Sequence, residues 1–182
     1  GTGFEASDSS VSVFEQLAES RTKVEKRYHA HKFIAYFQNY TNTFLPLDRL
    51  LGYMEEASKV EDIVEISIST RPDCIRQDYL EAFYEFSSRT GIEVSIELGL
   101  QTVNYHTLME MNRGHGLAEF IDAVLRIAPY RFPVCVHMIL NLPGDTMEDA
   151  EESARILSAL PISMVKLHSL YIPKQCELYD KY

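Results

Sequence analysis

The sequence has no two cysteines close enough to act together. Its three, Cys74, Cys135 and Cys176, are far apart and form no C-x-x-C pair. That spacing excludes a local zinc or iron–sulfur motif and makes free thiols the expectation. Long hydrophobic runs are missing too. The stretch from Phe132 to Leu142 is interrupted by His137 and Asn141 and falls far short of the roughly 20 residues a membrane helix needs. Positive charge is outnumbered: 17 Lys and Arg against 27 Asp and Glu give a formal charge of -10, which argues against a broad nucleic-acid footprint. A local exception gathers Arg21, Lys23, Lys26, Arg27, His29, His31 and Lys32, but Glu15, Glu19 and Glu25 share the segment, and it reads as a solvated helix face.

Several catalytic signatures are also absent. Gly1-Thr2-Gly3 lacks both a third glycine and a preceding strand, so it is no dinucleotide fingerprint. There is no G-x-S-x-G elbow and no Walker A lysine. No basic or apolar leader precedes Val11, and residues Gly1 to Ser10 are small, acidic or hydroxylated, unlike a signal peptide. The expectation is a soluble, cytoplasmic chain that begins mid-protein and has no membrane partner.

What is present is a repeating unit. At 182 residues and 46% hydrophobic, the chain can bury one sizeable core, and a single domain over residues 1–182 is expected. Five segments rich in β-branched and aromatic residues read as strands: Lys32 to Gln38, Ile63 to Thr70, Glu93 to Thr102, Phe132 to Leu142, and Met164 to Ile172. Helical periodicity fills the gaps, with Leu47, Leu50, Leu51 and Met54 in the first and Leu80, Phe83 and Tyr84 in the second. The third gap carries two helical stretches, Tyr105 to Met111 and Leu117 to Ala128, and the fourth runs from Met147 to Leu160. A further helix, Val11 to Tyr28, comes before the first strand. Helix starts are signalled at Asp73, which follows a proline, and at Thr146, three residues before Asp149.

Strict strand–helix alternation calls for parallel pairing by right-handed crossovers, in a (β/α) barrel or an open doubly wound sheet. A barrel of about 250 residues has about 31 per unit, so this chain holds roughly six. A leading helix plus five strand–helix units suits an α/β partial (β/α)6 TIM-like barrel that lacks its first strand and the loop after it, with residues 1–10 as a loop remnant.

In such barrels the active site lies at the carboxyl ends of the strands. Each apolar run ends in polar residues: Gln38 and Asn39, Ser69 and Arg71, Gln101, His137 and Asn141, and His168. Glu97 is an acid within an apolar run; it either faces the barrel interior as a ligand group or pairs with Arg71, Arg113 or Lys166. Asn112-Arg113-Gly114-His115-Gly116 breaks a helix and can present Arg113 and His115 to the rim; the plainer reading is a helix C-cap. Amides and arginines without a dense carboxylate cluster suit a zwitterion and ribose hydroxyls better than a divalent metal.

The segments YFQNYTNT, STRPD, IELGLQT, MNRGHG and ILNLPGDT resemble, in order and spacing, a bacterial radical S-adenosylmethionine (SAM) family of iron–sulfur oxidoreductase-like proteins. That family is related to the elongator catalytic subunit's radical SAM domain and to oxygen-independent coproporphyrinogen oxidase. The likeness runs from about Val11 to the carboxyl terminus. It implies a partial barrel binding SAM beside a [4Fe–4S] cluster, with SAM cleaved reductively to a 5′-deoxyadenosyl radical. It places Gln38 and Asn39 by the SAM amino group, Gln101 near the ribose and Arg113 at the carboxylate. His137 stands for an acidic ribose partner, Ser69 for a glutamate, and Asn141 where a glycine is common beside the adenine. The three cluster cysteines would sit in a loop after the first strand and are not in this chain, so no metal ligand is assigned. The implied partners are an electron donor such as flavodoxin or ferredoxin and an RNA or protein substrate. The edge of the segment Lys32 to Gln38, left without a neighbouring strand, is expected to be covered by the amino-terminal residues or by another chain, as in a homodimer.

Overall fold

The computed structural model describes residues 11–38, 41–174 and 179; the expected loop remnant 1–10, Asn39 and Cys176 lie outside them. The chain begins with α1 (Val13–Tyr28) and continues through β1 (Phe33–Phe37), α2 (Leu47–Ser58), β2 (Ile63–Thr70), α3 (Gln77–Thr90) and β3 (Glu93–Gln101). It then runs through α4 (Tyr105–Glu110), α5 (Leu117–Ile127), β4 (Val134–Ile139), α6 (Met147–Ser158) and β5 (Met164–His168). All neighbouring strands are parallel, and their order across the sheet is their order in sequence. With no reversal of order, right-handed crossovers keep every connecting helix on one face. The result is a curled half-barrel, and the doubly wound alternative is excluded.

Strand alternation separates two chemistries. The outer face carries Ala35, Ile66, Ile68, Val94, Ile96, Leu98, Leu100, Val134, Val136 and Met138, which join Leu50, Met54, Leu80, Phe83, Phe86, Phe120 and Val124 of the helices in one buried cluster. The inner face carries Tyr36, Ser67, Ser69, Ser95, Glu97, Cys135, His137, Lys166 and His168, aligned by the strand register. One face therefore supplies the hydrophobic stabilisation, and the other is polar.

Local signals explain most element ends. Ser12 and Glu15 form a capping box at the start of α1, and Thr146 and Asp149 do so at α6. Gly91, at φ 73, ends α3 in the left-handed conformation. The helix expected at Asp73 starts later. Pro72–Cys74 is a single 3-10 turn, Ile75 is extended and buried in the core, and α3 begins after Arg76. Proline presets the first turn, but burying the side chain of Ile75 pulls the backbone out of helix before it can propagate. The basic segment behaves as a solvated helix face: α1 has no fully buried residue, Arg21 pairs with Glu25 and Asp62, and Lys23 pairs with Glu19. Among the described residues, no strand pairs with the outer edge of β1.

Phe83 is wholly buried between α3 and the sheet. Phe83→Ala is expected to lower unfolding free energy by about 3–5 kcal/mol, measured by urea denaturation followed by circular dichroism; a loss below about 1 kcal/mol would mean that this helix layer is not packed as described.

Candidate functional site

Glu97 is the hub of the inner face. It is 6% exposed, and its carboxylate accepts from Ser67 Oγ at 3.1 Å and from Lys166 Nζ at 2.5 Å. The other oxygen lies 2.5 Å from His137 Nε2. Of the pairings expected for Glu97, that with Lys166 forms; Arg71 is held by Asp73, and Arg113 donates to the Gly99 carbonyl at 3.0 Å. Burial by itself would raise the pKa of Glu97, but the hydrogen bonds from His137, Lys166 and the Tyr36 hydroxyl, together with the lysine charge, hold it down at about 2.

The network extends on both sides. His137 Nδ1 and His168 Nε2 are 3.0 Å apart, so one ring donates and the other accepts. Burial and the charges of His137 and Lys166 hold His168 below its usual value. Lys166 Nζ lies 4.8 Å from the centre of the Tyr36 ring, and Ser69 Oγ donates to the Tyr36 hydroxyl at 3.1 Å. Burial raises the Tyr36 phenol to about 12, with Glu97 acting in the same direction.

At the carboxyl rim the backbone takes unusual forms. Gln101 has φ 77 at a break in the β3–β4 register, and Asn141 has φ 61 just after β4. The left-handed region is where glycine is favoured and asparagine tolerated, so asparagine suits the turn after β4. Gly99 makes room for the rim side chains: a Cβ there would lie 2.9 Å from Gln101 Nε2 and 3.3 Å from Arg113 Nη2. Helix α4 ends with Asn112 N–H on the Met109 carbonyl and Arg113 N–H on the Leu108 carbonyl. This is the Schellman pattern, with Asn112 as the left-handed residue at φ 50. The C-cap forms, and it sets Arg113 against the Gly99 carbonyl. The Nε of Arg113 and Nδ1 of His115 are buried without a hydrogen-bond partner.

Two rim loops are joined. Thr107 Oγ1 donates to Asp145 at 2.5 Å, and Asn104 Nδ2 to the Gly144 carbonyl at 3.4 Å. Other rim polar groups serve the backbone. Asn42 Nδ2 donates to the Phe37 and Ser69 carbonyls, and Thr43 pairs with Thr70 and the Cys74 carbonyl.

Of the candidate residues, Glu97, His137 and His168 form one chain, while Gln101 and Arg113 meet over Gly99. Ser69 joins Tyr36, and Arg71 lies against Gly114. Gln38 is exposed beyond β1, and Asn141 lies on the loop after β4. Cys135 was missed by reading strand ends alone; counting every second residue of each strand would have placed it on the inner face with Tyr36. Glu97, Cys135 and His137 offer donor atoms within 4.8 Å of one another. A cation there would compete with Lys166 for a carboxylate that is already neutralised, and burial and Glu97 hold the Cys135 thiol up.

The half-barrel with its polar mouth has counterparts. The family model of the radical SAM superfamily matches residues 12–157. The chain belongs to this superfamily. It is similar to the uncharacterized protein YtqA of Bacillus subtilis, with 31% identity over all of this chain and 56% of YtqA. Among solved structures it resembles archaeal Elp3 from Methanocaldococcus infernus, with TM-score 0.76 and 21% identity over 92% of this chain and 44% of that one. It also resembles coproporphyrinogen III oxidase HemN of Escherichia coli, with TM-score 0.66 and 17% identity over 89% and 37%. These two likenesses support the partial-barrel fold. The chain spans about half the length of the curated relatives it matches. Among the described residues, no helix is long and apolar enough to cross a membrane.

Because Glu97 has a folded pKa of about 2 against an ordinary 4.5, its charged form is favoured by folding. That stabilisation is full above about pH 4.5 and is lost as pH falls towards 2. Glu97→Gln, which leaves Lys166 without its carboxylate, is expected to cost about 3 kcal/mol at neutral pH. In urea unfolding series from neutral pH downward, the gap between wild type and variant should close over that window; a gap independent of pH would contradict the assignment.

Proposed function

We propose that this chain forms the SAM-binding wall of a radical SAM enzyme. The observation that carries the proposal is a charge mismatch at the rim: of two neighbouring guanidiniums, Arg71 engages both oxygens of Asp73, while Arg113 has no carboxylate partner and keeps a buried Nε–H with no acceptor. A half-buried cation with unused donors calls for an anion. A zwitterionic nucleoside suits the remainder, since its carboxylate meets Arg113 and its hydroxyls meet the amide of Gln101 and the imidazoles of His137 and His168. Gln38 would reach the amino group from just beyond β1, and the resemblance in sequence gives Asn39 the same part. Asn141 borders the base, and Ser69 and Glu97 shape the wall behind it.

Within the whole protein, SAM bound beside a [4Fe–4S] cluster would be cleaved reductively to a 5′-deoxyadenosyl radical. The described cysteines do not fit as ligands of that cluster. Cys74 lies in the turn after β2, and Cys135 is buried near the start of β4, away from the carboxyl rim. This chain's own contribution is to bind and orient the nucleoside. A second reading is a SAM-binding or interaction module without a cluster, in which Cys74 and Cys135 remain free thiols.

Two measurements separate these readings. Equilibrium dialysis with SAM should show binding that Arg113→Ala weakens at least about tenfold, the scale of one charge-assisted hydrogen bond; equal binding would remove the carboxylate assignment. Anaerobic reconstitution of the full-length protein should give about four iron and four sulfide per chain. A protein that binds SAM but holds no iron favours the cluster-less module.

A further inference from the structure

We propose that Arg71 is a positioning residue, which sets the conformation of the Arg113 loop by filling the space that Gly114 leaves open. It rests on the reading that Arg113 meets the SAM carboxylate, and it gives Arg71 a role different from direct contact with the cofactor.

Arg71 is poorly placed to be a ligand. Its Nε and Nη2 donate to the two oxygens of Asp73 at 2.9 and 2.6 Å. Asp73 is itself fixed in the Pro72–Cys74 turn. This fork-on-carboxylate geometry orients the plane of the guanidinium as well as its charge. The oriented group lies against the backbone of Gly114, where a Cβ would be 2.5 Å from Arg71 Nη2 and 3.4 Å from Cζ. Gly114 also has φ 73, so both the space and the backbone conformation demand glycine there.

The consequence reaches the next residue. Arg113 lies between two left-handed residues, Asn112 and Gly114. On one side, its N–H on the Leu108 carbonyl fixes the loop to α4. On the other, Arg71 fixes it to the end of β2. The Arg113 side chain then reaches the Gly99 carbonyl, with His115 Nε2 3.5 Å from its Nη2. An isolated exposed ion pair contributes little, but this pair sets the Nη2 end of its guanidinium against a loop backbone and so acts through shape. The like charges of Arg71 and Arg113 oppose each other, which leaves Arg113 readier to accept an anion.

The test is a double-mutant cycle on the intact protein: wild type, Arg71→Ala, Gly114→Ala and the double variant, with Arg71→Lys and the exposed Arg76→Ala beside them. SAM affinity is read by equilibrium dialysis and stability by urea unfolding. Arg71→Ala and Gly114→Ala should each weaken SAM binding roughly ten- to a hundredfold, the usual scale for groups that orient a ligand-binding side chain. The double variant should bind about as weakly as Gly114→Ala alone, because both changes break one contact. Arg71→Lys should not restore binding, since an ammonium cannot form the planar fork, and Arg76→Ala should bind as wild type does. Full affinity in Arg71→Ala, fully additive losses, or rescue by lysine would overturn the proposal. NMR provides a readout independent of SAM: the Arg113 Nε–H resonance should move in Arg71→Ala and stay in place in Arg76→Ala. If wild type binds no SAM, the SAM reading fails while this shift still decides whether Arg71 positions Arg113; an unmoved resonance rejects it.

Discussion

Everything on the inner face is organised by the cost of burying one carboxylate. Glu97 sits in the middle of β3, where ionisation without partners would be strongly disfavoured. It is kept charged by Tyr36 of β1, His137 of β4 and Lys166 of β5, and Ser67 of β2 donates to it as well. Those bonds cross the concave side of the sheet, whereas backbone ladders join only adjacent strands. A buried ion pair is weak grounds for net stability, because desolvation offsets much of the attraction. Its effect here is geometric, since a carboxylate in the hollow of the sheet that must be satisfied from both sides favours a curled sheet over a flat one.

The second constraint is the split between faces. Helices pack on one side of the sequentially ordered strands, so the other side is free to be polar, and its polar groups satisfy one another before any ligand arrives. The rim differs. There the backbone leaves regular strand at Gln101 and Asn141, and buried donors on Arg113 and His115 lack acceptors. Strained backbone and unmet hydrogen bonds concentrate where a ligand can repay them, and this separates the rim from the self-satisfied wall beneath it.

Much of the fold was legible in the sequence because strands and helices alternate so regularly. β2 spans the segment expected for it, Ile63–Thr70, and the other four strands fall within theirs. The overestimates have local causes. Pro133 cannot donate to a ladder, and Asn141 turns left-handed, so β4 is shorter at both ends than the apolar run that contains it. Asp73 misled because a proline-started turn and a proline-started helix look alike until the burial of Ile75 is known. The partner of Glu97 was not legible. Arg71, Arg113 and Lys166 were equivalent candidates by charge, and only the strand order, which brings β5 beside β4, selects the lysine. Cys135 was overlooked for a related reason: attention to the carboxyl ends of strands passes over residues near their starts whose parity points them inward.

The tie between Thr107 and Asp145 bears on how the mouth can move. It joins α4, whose capped end carries Arg113, to the loop that follows His137 and Asn141. The residues assigned to the carboxylate end of the nucleoside and those assigned to its ribose and base are thus mounted on one mechanical unit. Under the proposed reading, opening at either end would drag the other with it, so admission and release of a nucleoside would be coupled across the two loops.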